Sequence, residues 1–401
     1  LGTNTTLTAG LFNFTNVTTS GAYALTLAPY GTSFNSTQSL SGLTLASATT
    51  GFTVGSLNNN ATITLPNAVT INGPITVYGG AINVNANLTD TQNTTNNGIQ
   101  LLASGVFTDT NNLSTTKGNI TIKGAQIAIS NGVTFTPGTS GNWNIWSTNT
   151  SPWSGSTPDS DGTLTYNYKQ YNASYGTTTP LGTGNGLLYS YAPTLTFNLT
   201  GSVTKTYDGT TSATLTSANY NVTGNVAGDT VNYTSPTTGT YDTKDAGTSK
   251  TISVSGMNIT SVTSSTGKSV YGYQVASSNV SGAVGVVTPK ALTESGLSVA
   301  ASRVYNGTTS TSILGSAALA TTETAGSGNT SDGKPYSGDT VSITGTPVGT
   351  YNDAHVVNAT TVTFSGLSLT GAQASNYSLT IQSPASATIT AATLTPTITN
   401  T

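Results

Sequence analysis

The sequence predicts an all-β protein: a right-handed parallel β-helix (solenoid) followed by two tandem small β-sandwich or β-grasp-like modules. Three observations carry this expectation. Apolar residues alternate with polar ones at period two, as half-buried strands require, and they never cluster at a helical period. Three segments of one shape start 21 and 24 residues apart between Ile75 and Ile129. Two longer segments repeat four landmarks in one order, and internal repetition outranks any local motif as a guide to architecture.

Composition agrees. Only 6% of the 401 residues are charged, against about 25% in an ordinary soluble domain. Thr, Ser, Asn and Gly stand in their place. Thr suits a pleated surface because its branched Cβ restricts χ1, and Gly and Asn supply the dihedrals of tight turns. Low charge and small polar residues also fit a disordered chain, but the clean alternation and a net charge of −3 favour folded strands. The chain has no cysteine, which removes thiol catalysis, thiolate metal sites and disulfides. No apolar run reaches the roughly eighteen residues of a spanning helix. Lys and Arg are too few for a nucleic-acid footprint. The chain opens at Leu1 and closes on what reads as the lead-in to another module, so it is expected to be part of something longer.

Residues 1–60 read as an N-terminal β-rich segment. Residues 61–150 read as the β-helix. There the segments Ile75–Val84, Ile99–Val106 and Ile120–Ile129 each show a short alternating strand, a small-residue corner and a second strand. Stacked coils would bury Ile, Val and Leu, with Gly and Asn at corners and asparagine amides bonding from coil to coil. Residues 151–197 read as an aromatic cap or linker. Trp143, Trp146 and Trp153 are the only tryptophans, and tyrosines follow. They either close the apolar end of the solenoid or form a platform on which sugar rings stack.

The two modules span 198–292 and 295–394, with 395–401 starting a further linker. Tyr207-Asp208-Gly209-Thr210-Thr211, Gly228-Asp229, Gly239-Thr240-Tyr241-Asp242 and Ser255-Gly256 in the first match Tyr305-Asn306-Gly307-Thr308-Thr309, Gly338-Asp339, Gly349-Thr350-Tyr351-Asn352 and Ser365-Gly366 in the second. The offset grows from 98 residues at Tyr207/Tyr305 to 110 at Gly256/Gly366. The extra residues fall near Glu323 to Pro335, which is expected to be a surface loop.

Little chemistry is legible. His355 is the single histidine and has no nucleophile or metal-binding motif around it. Residues 1–158 hold only Asp90 and Asp109 as acids, too few for a sugar-cleaving solenoid. Asp159-Ser160-Asp161-Gly162 opens like a calcium loop but lacks the later ligands, so it reads as a polar turn. No catalytic residue, cofactor or metal is expected. Asparagine occurs in Asn-x-Ser/Thr more often than composition alone suggests. Asn13, Asn35, Asn60, Asn87, Asn119, Asn172, Asn221, Asn258 and Asn376 are the candidate N-glycosylation sites.

The stretch Thr204–Leu215, with Gly228-Asp229 after it and Val287-Thr288-Pro289-Lys290 at the end, resembles the YDG repeat of large bacterial exoproteins. Gly141–Ser147 and Lys169–Gly176 resemble the joint between a filamentous-haemagglutinin-like β-helix and such repeats. The resemblance covers about residues 60–395. It implies a two-partner-secretion adhesin, exported through an outer-membrane partner transporter and displayed outside a Gram-negative cell. The second module departs from the pattern: Asn306 replaces Asp208, and Ala391-Ala392 replace Pro289-Lys290. The expected function is a secreted structural or adhesive protein that presents or assembles an extracellular fibre or matrix. Its partners would be further copies of itself or cell-surface glycans. A glycan-binding module on Trp143, Trp146 and Trp153 is the first alternative, and a polysaccharide-active β-helix enzyme the second.

Overall fold

The computed structural model describes residues 2–94, 97–326 and 328–398. It is all-β, with two short 3-10 turns at Ser217–Asn219 and Ala374–Asn376. Two compact units form: Leu1–Thr196 with Val222–Thr234 and Asn258–Ala276, and Phe197–Asn221 with Ser235–Met257 and Ser277–Thr401. The repeated stretch 198–292 therefore divides its residues between both units.

In the first unit, successive circuits of chain lay one strand on each of several parallel sheets. One sheet takes Thr5–Thr8, Ala24–Ala28, Gly51–Val54, Ile75–Gly79, Ile99–Ala103, Ile120–Gly124 and Trp143–Ser147 in order. A second takes Gln38–Ser39, Ile63–Leu65, Ile82–Val84, Val106–Asp109 and Gln126–Ile129. A third takes Val69–Ile71, Leu88–Asp90, Leu113–Thr115 and Phe135–Thr136. Alternation sets the inward face, and register stacks it: Ile63, Ile82, Phe107 and Ile127 are consecutive partners. All four are buried in one continuous core. Parallel stacking reaches back to Thr5, well before the stretch whose spacing suggested it.

Corners need small residues because backbones touch there. Gly80 N donates to Ala61 O at 2.8 Å, Gly105 N to Gly80 O at 2.5 Å, and Ala125 N to Gly105 O at 2.7 Å. A Cβ on Gly80 would lie 1.9 Å from Asn60 O. Gly80→Val should lower stability by about 1–3 kcal/mol, read as an earlier urea midpoint at unchanged slope. The asparagine ladder differs from expectation. Asn87 Oδ1 accepts from Asn112 N at 3.0 Å, Asn112 Oδ1 from Thr134 N at 2.9 Å, and Asn119 Oδ1 from Asn142 N at 2.9 Å. The amides bond the next backbone rather than each other, because the corner leaves an N–H without a strand partner.

Asp109 is fully buried, with Oδ1 accepting from Asn111 N at 2.9 Å. Burial pushes its carboxyl up to about 7, against the lowering by the backbone N–H groups of Asn111 and Thr110. The folded state thus holds a proton that the unfolded chain releases near 3.8, so stability falls as pH rises from about 4 to about 7. Asp109→Asn should flatten that part of a stability–pH profile.

The long sheet ends on strands of another origin. Gly186–Tyr189 pairs with Trp143–Ser147 and Tyr168–Gln170, and the latter pairs with Ser269–Tyr271. Ile259–Thr263 and Thr230–Tyr233 complete the edge in antiparallel fashion. Val226, Val262 and Val270 join the same core as Ile145 and Leu187.

The second unit has mixed sheets. Val203–Thr206 runs parallel to Val280–Thr288, and Gly247–Val254 runs antiparallel to it. Ser302–Val304 and Thr388–Thr390 repeat the parallel pair in the same register, Lys205 facing Val287 as Arg303 faces Ile389. The Tyr-Asp/Asn-Gly turn explains its own variation. Asp208 Oδ1 accepts from Thr210 N at 2.9 Å, and Asn306 Oδ1 from Thr308 N at 3.1 Å. The turn itself uses one carbonyl-type oxygen, so acid and amide both close it; the same oxygen takes a cation, Lys205 Nζ at 2.7 Å on Asp208 and Arg303 on Asn306.

The 323–335 insertion is not simply a surface loop. Glu323 Oε1 and Asp332 Oδ1 lie 2.5 and 3.0 Å from the fully buried Lys290 Nζ, which also sits 4.2 Å above the Tyr336 ring. A buried ammonium requires such partners, and the insertion supplies them.

Candidate functional site: two tyrosine–aspartate–lysine nodes

The Gly-Asp landmark of each repeat carries the most buried acid of its surroundings. In the first unit, Asp229 has a side chain with no exposure. Tyr171 and Tyr273 hydroxyls donate to its Oδ2 at 2.5 and 2.9 Å, and Lys169 Nζ lies 3.6 Å from Oδ1. The Tyr273 hydroxyl in turn accepts from Val226 N at 2.7 Å.

The second unit repeats the aspartate and its two phenols, while the lysine comes from another place in the chain. Tyr207 and Tyr377 hydroxyls each donate to Asp339 Oδ2 at 2.7 Å, and Lys244 Nζ lies 2.6 Å from Oδ1. The Tyr377 hydroxyl accepts from Tyr336 N at 2.9 Å. Val226 and Tyr336 each stand three residues before their aspartate. Burial pushes Asp339 up, but Lys244 and the two hydroxyls outweigh it and hold the carboxyl below its ordinary value. Burial and the neighbouring carboxylate raise Tyr171, Tyr207 and Tyr377 well above the ordinary phenol range. Tyr207 and Tyr377 thus stay un-ionised donors around the Asp339 carboxylate. The arrangement binds strands together and offers no free acid or base.

In each node one tyrosine comes from a motif upstream of the Gly-Asp repeat. Lys169-Gln170-Tyr171-Asn172-Ala173-Ser174 matches Lys205-Thr206-Tyr207-Asp208-Gly209-Thr210 and Arg303-Val304-Tyr305-Asn306-Gly307-Thr308. Reading only two copies of this motif hid its role. Aligning the first copy with the others was the available signal.

The predicted site residues are placed differently from one another. Trp143 and Trp146 are core residues, 2% and 6% exposed. They lie three apart on one parallel strand and so face opposite sides: Trp143 packs in the core with Ile145, and Trp146 is covered on the other face by Tyr168, Ala173 and Leu188. Neither has a face to offer a sugar, and the three-tryptophan platform is not formed. Trp153 is 37% exposed and packs on Tyr171, Tyr189 and Tyr191 with ring centroids 5.4, 5.0 and 5.6 Å apart. Asn13, Asn35, Asn60, Asn87, Asn119, Asn172, Asn221 and Asn258 are exposed. Asn376 is the correction: it is 1% exposed and its Nδ2 donates to Asp245 Oδ1 at 2.8 Å, leaving no room for a glycan. Asp159 accepts from Ile127 N at 3.0 Å and from Asn149 Nδ2 at 3.0 Å, so it braces a strand end. His355 is exposed beside Asp353, 2.6 Å away. Among the described residues no three His, Asp or Glu side chains converge as a metal site would require.

Residues 191–280 and 288–389 match the model of the YDG domain. The chain carries a YDG domain in two segments. Both Gly-Asp landmarks, and Tyr207, Tyr273 and Tyr377, lie within the matched residues, whereas Tyr171 and Lys169 precede them. No curated protein and no solved structure matches the chain.

Proposed function

We propose that this chain is part of a secreted structural or adhesive protein of the filamentous-haemagglutinin-like, two-partner-secretion kind. Its parallel-stacked unit is read as a right-handed β-helix, and its YDG segments as small β-sandwich or β-grasp-like modules. The work is presentation of surface, outside a Gram-negative cell, after export through an outer-membrane partner transporter. Fibre or matrix assembly and adhesion to neighbouring cells are its expected outputs, and it catalyses nothing. The observation that carries this reading is where the carboxylates go. Asp90, Asp109, Asp229 and Glu294 are buried, bracing backbone and tyrosines instead of lining a cleft. A scarce charge supply spent on internal bracing suits a spacer.

Electron microscopy of the native particle tests it. A rod or fibre is expected, and a compact globule overturns it. One observation favours glycan binding as a second reading: Trp153 and Tyr191 are adjacent, and each is 37% exposed. Glycan-array binding that disappears in Trp153→Ala but survives Tyr30→Ala supports that reading, and binding indifferent to Trp153 removes it. For the exposed sequons, an intact mass equal to the unmodified 40.4 kDa removes glycosylation.

A further inference from the structure

Three sites in this chain share one sequence pattern, and two of them are covered. Each consists of the Lys/Arg-x-Tyr motif and a later x-x-x-Leu-Thr segment: Ala192-Pro193-Thr194-Leu195-Thr196, Pro289-Lys290-Ala291-Leu292-Thr293 and Ala391-Ala392-Thr393-Leu394-Thr395. At the first, a parallel strand of the following repeat aligns Leu195 with Val275, two residues after Tyr273. At the second, Tyr377-Ser378-Leu379-Thr380 aligns with Lys290-Ala291-Leu292-Thr293. Tyr273, just before the first incoming strand, and Tyr377, at the head of the second, each donate to their node aspartate.

Burial follows. Leu195 and Leu292 have no exposure, and neither have Tyr171 and Tyr207. Their counterparts in the third site, Leu394 and Tyr305, are 91% and 40% exposed. Tyr305, His355, Val356 and Leu394 line one shallow apolar depression. At the second site the counterparts of His355 and Val356 are Asp245 and Ala246, and these hold Asn376 of the following repeat, Ala246 N donating to Asn376 Oδ1 at 2.8 Å.

We propose that Tyr305, His355, Val356 and Thr393–Thr395 form an acceptor for a further YDG repeat following in the same chain, which supplies a Gly-Asp carboxylate to Tyr305 and a Tyr-x-Leu or Tyr-x-Val strand to Leu394. The inference is independent of adhesion or fibre formation. The acceptor also selects the kind of repeat. Ala392 stands where Lys290 neutralises Glu323 and Asp332, and Ala354 stands where Lys244 pairs with Asp339. A repeat with the acidic insertion would set its Glu323 and Asp332 counterparts against Ala392, with only the insertion's own Lys334, 3.9 Å from Asp332, left as counter-charge. The acceptor therefore takes a repeat of the first kind, which lacks the insertion, and Arg303 occupies the place from which Lys169 approaches Asp229.

The test extends the full chain after Thr395 with a second copy of residues 197–293, and follows amide hydrogen exchange. Residues 393–395 should exchange at least about tenfold more slowly than in the unextended chain. Asp229→Ala in the added copy alone should abolish that protection. Extension with a copy of residues 294–395 should protect less, and Ala392→Lys should restore it. Unchanged exchange at 393–395 overturns the acceptor, whether or not the added repeat folds. Protection that persists with Asp229→Ala overturns the role of the carboxylate. Protection that depends on protein concentration overturns docking within the chain in favour of a second copy.

Discussion

Asp339→Ala is expected to destabilise the second unit by about 3 kcal/mol, because it leaves two phenols and a lysine facing a void. Tyr207 is fully buried and Tyr377 nearly so, so water cannot replace the lost acceptor, although Lys244 is 38% exposed and partly rescued by solvent. Asp339→Asn should cost less, since one oxygen remains. The unfolding midpoint in urea checks this, with His355→Ala, whose side chain is 75% exposed, as a control near zero. The pH profile separates charge from packing. The folded value of Asp339 is depressed, so its contribution is present above 3.8 and disappears as pH falls through the folded value. Tyr207 and Tyr377 have raised values, so their contribution is present below 10.0 and is lost as pH rises beyond it. Wild-type stability should fall at both ends. In Asp339→Ala the acid slope should shrink and the alkaline slope should move toward that of an ordinary phenol. Unchanged slopes would contradict the node.

Trp143→Ala is expected to cost about 3–5 kcal/mol, the range for deleting a large aromatic from a packed core. Trp143 is next to Ile120 in register and meets Phe135 edge-on at 6.2 Å. Since each circuit rests on its neighbours, the loss should spread to adjacent strands, raising exchange at Ile120–Gly124 before it reaches Thr5–Thr8. Trp153→Ala should cost about 1–2 kcal/mol, from three ring contacts at a half-open position. Equal losses at the two positions would show that the aromatic cluster and the strand core are one cooperative element.

Much of the strand architecture is local and therefore readable. Period-two alternation marks Ile75–Gly79 and Ile120–Gly124, and glycine or alanine marks the corners between paired strands. The Asp208/Asn306 exchange already pointed to a turn, since acid and amide share only the acceptor oxygen that the turn uses. The tryptophans were less readable. Trp143 and Trp146 are three apart and face opposite sides of their strand, and only the tertiary structure covers both faces. The 323–335 insertion looked like a loop because its composition is polar. Its Glu323 and Asp332 are structural because Lys290, far earlier in the chain, is buried beneath them.

The sequence by itself determined strand content and the turns, because each depends on residues a few positions apart, and the tandem repeat, because its landmarks recur in one order. Only the tertiary structure decided what the repeats hold together with. Tyr171 reaches Asp229 across 58 residues, and Tyr207 reaches Asp339 across 132. No local period encodes a partner at that distance. The pairing is selected by the cost of burying a carboxylate, which is met only where two phenols and a lysine converge on it.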